Sequence, residues 1–335
     1  MASSEDQKYG QVVIDLNAVI VAIIDGQPKV LIVQHTPASL NAFNKSIGNT
    51  SRPADDILEV LPFGPFYPLQ HRTMESSLRS WVEAQTERKI GYVEQLYTFG
   101  DAGRDMREID GGPRGVSVGY LALVQDTGPT TIKNAQWQDW YRYFPWEDWR
   151  NGKPALLDAH IIPALMRWIE QSQNTAQKQE RHERTCITFG LENTPWNEEL
   201  VLERYELLFE ANVVLEANQL SAKEEQSAYC GAAMAFDHRR ILATAIGRLR
   251  GKLKYRPVVF ELMPPAFTLS KLQQVVEALS GACLHKQNFR RLVEKKRLVE
   301  ATGKMEDQTG GRPASQFRFR RDVLTEQRAH GVGRK

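Results

Sequence analysis

Lys286, Gln287, Arg290 and Arg291 fall on one side of a helical stretch, residues 284–296, whose apolar Phe289, Leu292 and Val293 point toward a core. Guanidinium, ammonium and amide groups in such a row are the donors that read base edges in a DNA groove and hold phosphates. Residues 267–281 supply a helix ahead of it. Thr268 is placed to cap the N-terminus, Phe267 to staple against Leu272, and Gly281 to stop the helix, with Leu269, Leu272, Val275, Val276 and Leu279 as its buried stripe. Residues 297–302 and 316–321 alternate as strands, and 303–315 between them, containing Gly310-Gly311-Arg312-Pro313, make a wing. Two helices and a ribbon form a winged helix-turn-helix, which sets one helix in the groove and a basic ribbon on the backbone. The candidate DNA-binding residues are Thr268, Ser270 and Lys271 on the first helix, Lys286, Gln287, Asn288, Arg290 and Arg291 on the second, and Lys304 and Arg312 on the wing.

Charge points the same way. The 335 residues carry a formal +2, yet from Arg239 to Lys335 there are 22 Lys and Arg against 8 Asp and Glu, a balance of +14. The first 238 residues hold 21 against 33, a balance of −12. A local excess of this size attracts polyanions, DNA phosphate above all. With 41% hydrophobic and 25% charged residues the composition is that of a globular protein. The longest apolar run, 12–24, is too short to span a bilayer and is broken by Asp15 and Asn17. Residues 1–10 lack the pattern of a signal peptide, so the expected location is the cytoplasm, away from membranes. Cys186, Cys230 and Cys283 are far apart, with no C-x-x-C and no clustered His, which argues against a disulfide scaffold and a zinc site.

The acidic part reads as α+β. Residues 12–25 and 30–35 form a hairpin of apolar strands, 37–56 a polar loop, and 58–62 a short strand ending at Phe63-Gly64. Residues 73–88 form an amphipathic helix with Met74, Leu78, Trp81 and Val82 on one face. Strands at 92–99 and 116–124 flank a loop rich in Gly, Asp and Arg, a helix near 161–171 closes the region, and 173–184 is a polar linker. Residues 196–217 read as a connecting or dimer-forming helix, and 237–254 as a long helix with Ile241, Leu242, Ala245, Ile246 and Leu249 apolar.

Leu61-Pro62-Phe63-Gly64-Pro65-Phe66, then a loop, a helix and a strand, resembles the Nudix arrangement, in which an acidic helix holds Mg²⁺ against a pyrophosphate. The matching helix, residues 78–87, departs from the family's box. Aligned on Arg79 it has Ser80 and Ala84 where glutamates belong and keeps only Glu83; aligned on Thr86, the glutamate pair becomes Ala84-Gln85. Too few carboxylates remain for a metal cluster, so hydrolysis is not expected and no metal or cofactor is assigned. Arg79 and Glu83 also read simply as an i, i+4 ion pair.

Taken with Asn288-Phe289-Arg290-Arg291, Gly311-Arg312-Pro313, 97–101, 116–121, 248–252 and 267–270, the chain resembles over residues 10–325 the Nudix-related (NrtR-like) transcriptional regulators of NAD metabolism. The segment 196–217 is similar to that of the longer α-proteobacterial branch of NAD-biosynthesis repressors. The resemblance implies an α/β/α Nudix-like domain over 10–172, a connecting or dimer segment over 173–235, and a winged helix-turn-helix over 236–325. It further implies a homodimeric repressor on a palindromic operator of NAD biosynthesis or salvage genes, controlled by an adenine nucleotide: ADP-ribose, NAD or ATP. A pocket of pyrophosphatase descent needs cations for phosphates, for which Arg79, Arg104, Arg107 and Arg114 are candidates, and flat surfaces for a base, for which Tyr97, Phe99 and Tyr120 are. Glu83 and Asp101 complete the candidate effector set. The competing readings are a scaffold binding RNA or a protein through the basic end, and a Mg²⁺-dependent nucleotide pyrophosphatase.

Overall fold

The computed structural model describes residues 12–37, 39, 57–87, 90–104, 108, 113–125, 134–218, 229–255, 258–306 and 313–320. Its centre is a mixed sheet ordered β3-β2-β1-β6-β5, from β1 (Val12–Ile24), β2 (Gln27–His35), β3 (Leu58–Val60), β5 (Tyr92–Phe99) and β6 (Arg114–Leu123). β4 (Phe63–Pro65) pairs antiparallel with the first half of β1, β7 (Ala135–Asp139) with β2, and β1 runs parallel to β6.

Alternation along β1 decides what covers each face. Leu16, Ala18, Ile20 and Ala22 share a cluster with Leu78 and Val82 of helix α1 (Met74–Thr86). Val19 and Val21 share the other with Ile241, Leu242, Ala245, Ile246 and Leu249 of the long helix α5 (His238–Tyr255). Helices therefore lie on both faces, the α/β/α sandwich expected of the first domain. Gly64 of β4 lets α1 approach, because a Cβ there would overlap the Trp81 ring. Trp81 Nε1 donates to the Pro65 carbonyl at 3.0 Å, and the Gln85 amide bonds both backbone groups of Phe63.

The helices α2 (Ile162–Glu170), α3 (Thr175–Phe189) and α4 (Val201–Glu210) contribute to the core on the α5 side. Two sequence expectations change here. Of residues 173–184, read as a linker, all from Thr175 on belong to α3, which is capped by the Asn174 side chain and stopped at Gly190. The helix read over 196–217 is only α4, followed by a 3₁₀ turn at Leu215–Asn218. β7 was not foreseen at all.

The C-terminal module is α6 (Leu269–Ser280), α7 (Lys286–Lys295), and a three-stranded sheet β8-β10-β9 from Phe267–Thr268, Ala314–Phe319 and Val299–Glu306. This is a winged helix. Thr268 Oγ1 accepts from the Lys271 amide at 3.2 Å, the expected cap. Gly281 closes α6 in the left-handed region (φ 74°), and a Cβ there would overlap the Glu147 carbonyl. Leu292, expected in the core, is 49% exposed, and only Phe289 and Val293 anchor α7.

The last carbonyls of a helix need partners, and for α6 the first domain and α5 provide them. Tyr141 donates to Ala278 O at 2.7 Å, Arg250 Nε to Leu279 O at 3.1 Å, and the Trp149 amide to Gly281 O at 2.7 Å. Arg250 also adds a cation at the negative end of the helix dipole.

Candidate nucleic-acid interface and effector region

α7 presents Lys286, Gln287, Asn288, Arg290 and Arg291 to solvent, opposite buried Phe289 and Val293. Lys286, Arg290 and Arg291 form no ion pair among the described residues. Among the described residues no carboxylate neutralises this charge at ion-pair distance, on the face that sequence reasoning assigned to DNA. Ser270, Lys271 and Lys304 are likewise exposed, whereas Thr268 is buried with its oxygen committed to the cap. Arg312 lies outside the described residues. Phe319 stacks on Phe260 with ring centroids 4.2 Å apart, and Phe317 packs against the same core, so neither ring is an open stacking platform for a single-stranded base.

The charge asymmetry has a second use that composition hid. Five cations of the basic third are paired with carboxylates of the acidic part: Arg239 with Glu216, Arg240 with Asp101 and Glu206, Arg248 with Glu94, Arg250 with Glu147, and Lys252 with Glu94. The Arg239 and Arg250 side chains are fully buried. Glu147 is the most enclosed of these groups. Its Oε1 receives Arg204 Nε at 2.5 Å, and its Oε2 receives Arg204 and Arg250 at 2.9 and 2.6 Å. Burial alone would raise the Glu147 pKa, but the two guanidiniums outweigh it and hold the carboxyl below its ordinary value. Arg250 stood within the quoted stretch 248–252, but nothing in its spacing marked it as buried.

The candidate effector residues do not converge. Tyr120 faces α1, packed with Leu78 and Val82, whereas Phe99 lies in the cluster on the α5 face, so the sheet separates them. Arg79 pairs with Glu75, not Glu83, at 2.8 Å and donates to the Ile90 and Gly91 carbonyls. Glu83 is exposed on α1, and Arg107 lies outside the described residues. Among the described residues, α1 brings no three carboxylates within ligand distance of one another.

A second group does converge, on the α5 side. Tyr97 meets Phe99 edge-on at 5.3 Å, and the Arg240 guanidinium lies 5.2 Å from the Phe99 ring centre. Arg240 bonds Asp101 at 2.5 Å and Asp237 at 3.1 Å. Arg104 sits 3.5 Å over the Phe209 ring of α4, bonds Glu206 and approaches Asp237 at 3.8 Å. Arg114 donates to the Gly100 carbonyl at 3.1 Å and pairs with Glu108 at 3.5 Å. Hydrogen bonding and charge from Arg240 lower the Asp101 pKa, while burial lifts that of Asp237 to about 6 against the pull of Arg240 and Arg104. Sequence reasoning named Asp101, Arg104 and the aromatics but missed Glu206, Asp237 and Arg240, which α4 and α5 contribute. This cluster links the loop after β5 to the helix that leads into the winged helix.

The chain combines an α/β/α sandwich with a C-terminal winged helix. Residues 259–319 match the family model of the NrtR DNA-binding winged helix domain. A curated relative, the ADPR responsive transcriptional repressor NtrR of Acinetobacter baylyi, is 41% identical over 86 residues, 26% of this chain; the match spans only 34% of that relative's length. Among solved structures, Shewanella oneidensis NrtR complexed with a 27mer DNA aligns with TM-score 0.52 and 20% identity, over 93% of this chain and 95% of that one. The same protein without DNA aligns with TM-score 0.50 and 22% identity, over 93% and 96%. A MutT/nudix family protein from Enterococcus faecalis aligns with TM-score 0.50 and 16% identity, over 95% and 94%. These likenesses establish the two-part fold. No described helix is long and apolar enough to cross a membrane.

Proposed function

We propose that the protein is a transcriptional repressor of NAD biosynthesis or salvage genes that binds double-stranded DNA through α7 and the wing. The observation that carries this reading is the exposed row Lys286, Arg290 and Arg291, without ion pairs among the described residues, on the second helix of an NrtR-type winged helix. Arg290 and Arg291 take base edges and flanking phosphates, while Lys271, Lys304 and Arg312 hold the backbone. A homodimer on a palindromic operator follows from the two-fold symmetry such readers use.

The effector we propose is an adenine nucleotide, ADP-ribose first, a choice supported by the name of the Acinetobacter relative. NAD and ATP are the other candidates. Arg104 and Arg240 are engaged by Glu206, Asp237 and Asp101 in this conformation. Ligand phosphates that compete for those guanidiniums loosen the contacts of the loop with α4 and α5. The shift in DNA affinity equals the ligand's difference in affinity for the two arrangements. The Nudix-type domain acts here as a sensor without hydrolytic turnover, since Ser80, Ala84 and Gln85 stand where the family's box has glutamates.

Fluorescence anisotropy on promoter DNA of candidate NAD genes, at several salt concentrations and with each nucleotide, tests this. Tight, selective, salt-sensitive binding altered by one nucleotide is expected. Affinity equal to that for random DNA would refute the repressor reading, and Mg²⁺-dependent product release from ADP-ribose would refute the inactive sensor.

A further inference from the structure

The end of α3 assembles a group that the proposed function does not use. His182 and Cys186 are four residues apart and so lie on one face of the helix. Gly190 ends the helix in the left-handed region (φ 62°), and the Leu191 amide bonds back to the Cys186 carbonyl at 3.0 Å. Two residues on, Glu192 also adopts a left-handed backbone (φ 56°), a conformation that disfavours a residue with a Cβ. The chain thereby folds back and sets the Glu192 carboxylate 3.3 Å from His182 Nε2. Cys186 Sγ lies 3.9 Å from the same nitrogen, and one ligand atom from each of the three residues lies within 4.8 Å of the others.

We propose that His182 Nε2, Cys186 Sγ and a Glu192 carboxylate oxygen form a three-ligand site for a divalent transition metal of zinc type. Thiolate, imidazole and carboxylate together suit such an ion rather than Mg²⁺ or Ca²⁺, which take oxygen ligands. Around tetrahedral zinc the N to O separation is about 3.3 Å and those to sulfur are about 3.6 Å, so small side-chain adjustments bring the three atoms into place. The fourth position goes to water. Cys186 is buried, while His182 and Glu192 are partly exposed, which gives the ion a route in from solvent. The turn that carries Glu192 continues into Trp196 and Asn197, which hold Arg204 against Glu147, so metal binding would brace the connection between the two modules.

The test is titration of the full-length, metal-free protein with Co²⁺, followed optically, and then displacement by Zn²⁺. The expected result is a thiolate-to-cobalt charge-transfer band that saturates and disappears with Zn²⁺. Loss of outer-shell partners alone costs about 10–100-fold in metal affinity, so Cys186→Ser should weaken binding at least tenfold and abolish the band. His182→Gln and Glu192→Gln should weaken binding comparably, and as partly exposed positions they keep the test intact if the Cys186 variant fails to fold. Zn²⁺ should raise the Tm of wild type in a concentration-dependent way, and not that of the variants. Cys283→Ser, near the exposed His285, should keep the band. No thiolate band in wild type, a band retained by Cys186→Ser, or a band lost only in Cys283→Ser would overturn the proposal.

Discussion

Replacing Glu147 with glutamine should destabilise the protein more than any surface substitution. Glu147 is 1% exposed, and the Arg204 and Arg250 side chains that grip it are fully buried. The change keeps the volume but removes the carboxylate that bridges the two cations. Each guanidinium retains carbonyl partners: Thr188 and Asn197 for Arg204, Leu279 and Glu198 for Arg250. Hydrogen bonding therefore survives in part while charge balance is lost. Removing one partner of a buried pair costs about 3–5 kcal/mol, and two stranded cations place this variant at the upper end. For a chain of this size each kcal/mol shifts Tm by about 2 °C, so a fall of about 5–10 °C is expected. Because the folded-state pKa of Glu147 is depressed, its contribution is complete above the ordinary carboxylate range and is lost only as pH falls through the lowered value. The measurement therefore belongs at neutral pH, by calorimetry and urea unfolding. Hydrogen exchange at residues 278–281 should also accelerate, since Arg250 holds the end of α6. A loss below about 1 kcal/mol would mean that the triad is not the fastening described, because even a single buried pair broken on one side costs more.

Further expectations follow from the same geometry. Arg290→Ala and Arg291→Ala should each cost about 1–3 kcal/mol of operator affinity with little change on random DNA; anisotropy equal to wild type on both would misplace the recognition helix. Gly281→Ala combines a left-handed backbone with a Cβ that overlaps the Glu147 carbonyl, and should lower Tm by several degrees, unlike Ala at exposed Ser270. Asp237, its pKa raised to about 6 by burial, binds its proton more tightly folded than unfolded, so its contribution to stability falls as pH rises from about 4 through 6. The drop is on the order of 2–3 kcal/mol. Asp237→Asn should lose that slope, so that the difference between variant and wild-type urea midpoints changes with pH; parallel curves from pH 4 to 7 would show that the group does not titrate there.

Patterns that repeat along the chain were legible in the sequence. α6, α7 and the wing follow local rules of apolar period, caps and alternation, and β1 advertises burial on both sides by its apolar run. Elements that depend on tertiary partners were not legible. β7 is Ala-Gln-Trp-Gln-Asp, with one large apolar residue, and becomes a strand because the edge of β2 is open to it. α3 buries only Thr185, Cys186, Thr188 and Phe189, all near its end, so no apolar stripe announced it, though Asn174 and Gly190 stood where caps belong. The candidate effector set draws residues from both sides of the sheet. Residues on α1 and on the loop after β5 looked equivalent in sequence, yet the sheet runs between them. Leu292 was assigned inward because helical period alone does not say how wide the buried stripe is.

The pairing of charges across the molecule sharpens what a DNA measurement must show. Composition would let every cation of the +14 region contribute to phosphate binding, but at least five of them are tied to carboxylates of the acidic part and two of those are buried. The candidate contacts per protomer are the six cations Lys271, Lys286, Arg290, Arg291, Lys304 and Arg312. Each neutralised phosphate contributes a slope of about −0.9 in log affinity against log salt, so one protomer should give a slope no steeper than about −5. Lys304→Ala should reduce it by about 1 while leaving the preference for operator over random DNA unchanged, because a backbone contact carries no sequence information. Arg312→Ala should behave in the same way. A much steeper slope would require cations beyond these six to reach DNA; if those on α5 were among them, their pairs with carboxylates would have to break, and neutralising Arg248 would lower the slope as much as neutralising Lys304. If Arg248→Ala leaves the slope untouched, the basic third divides as the contacts indicate, with α5 fastening the modules together and α7 and the wing meeting the DNA.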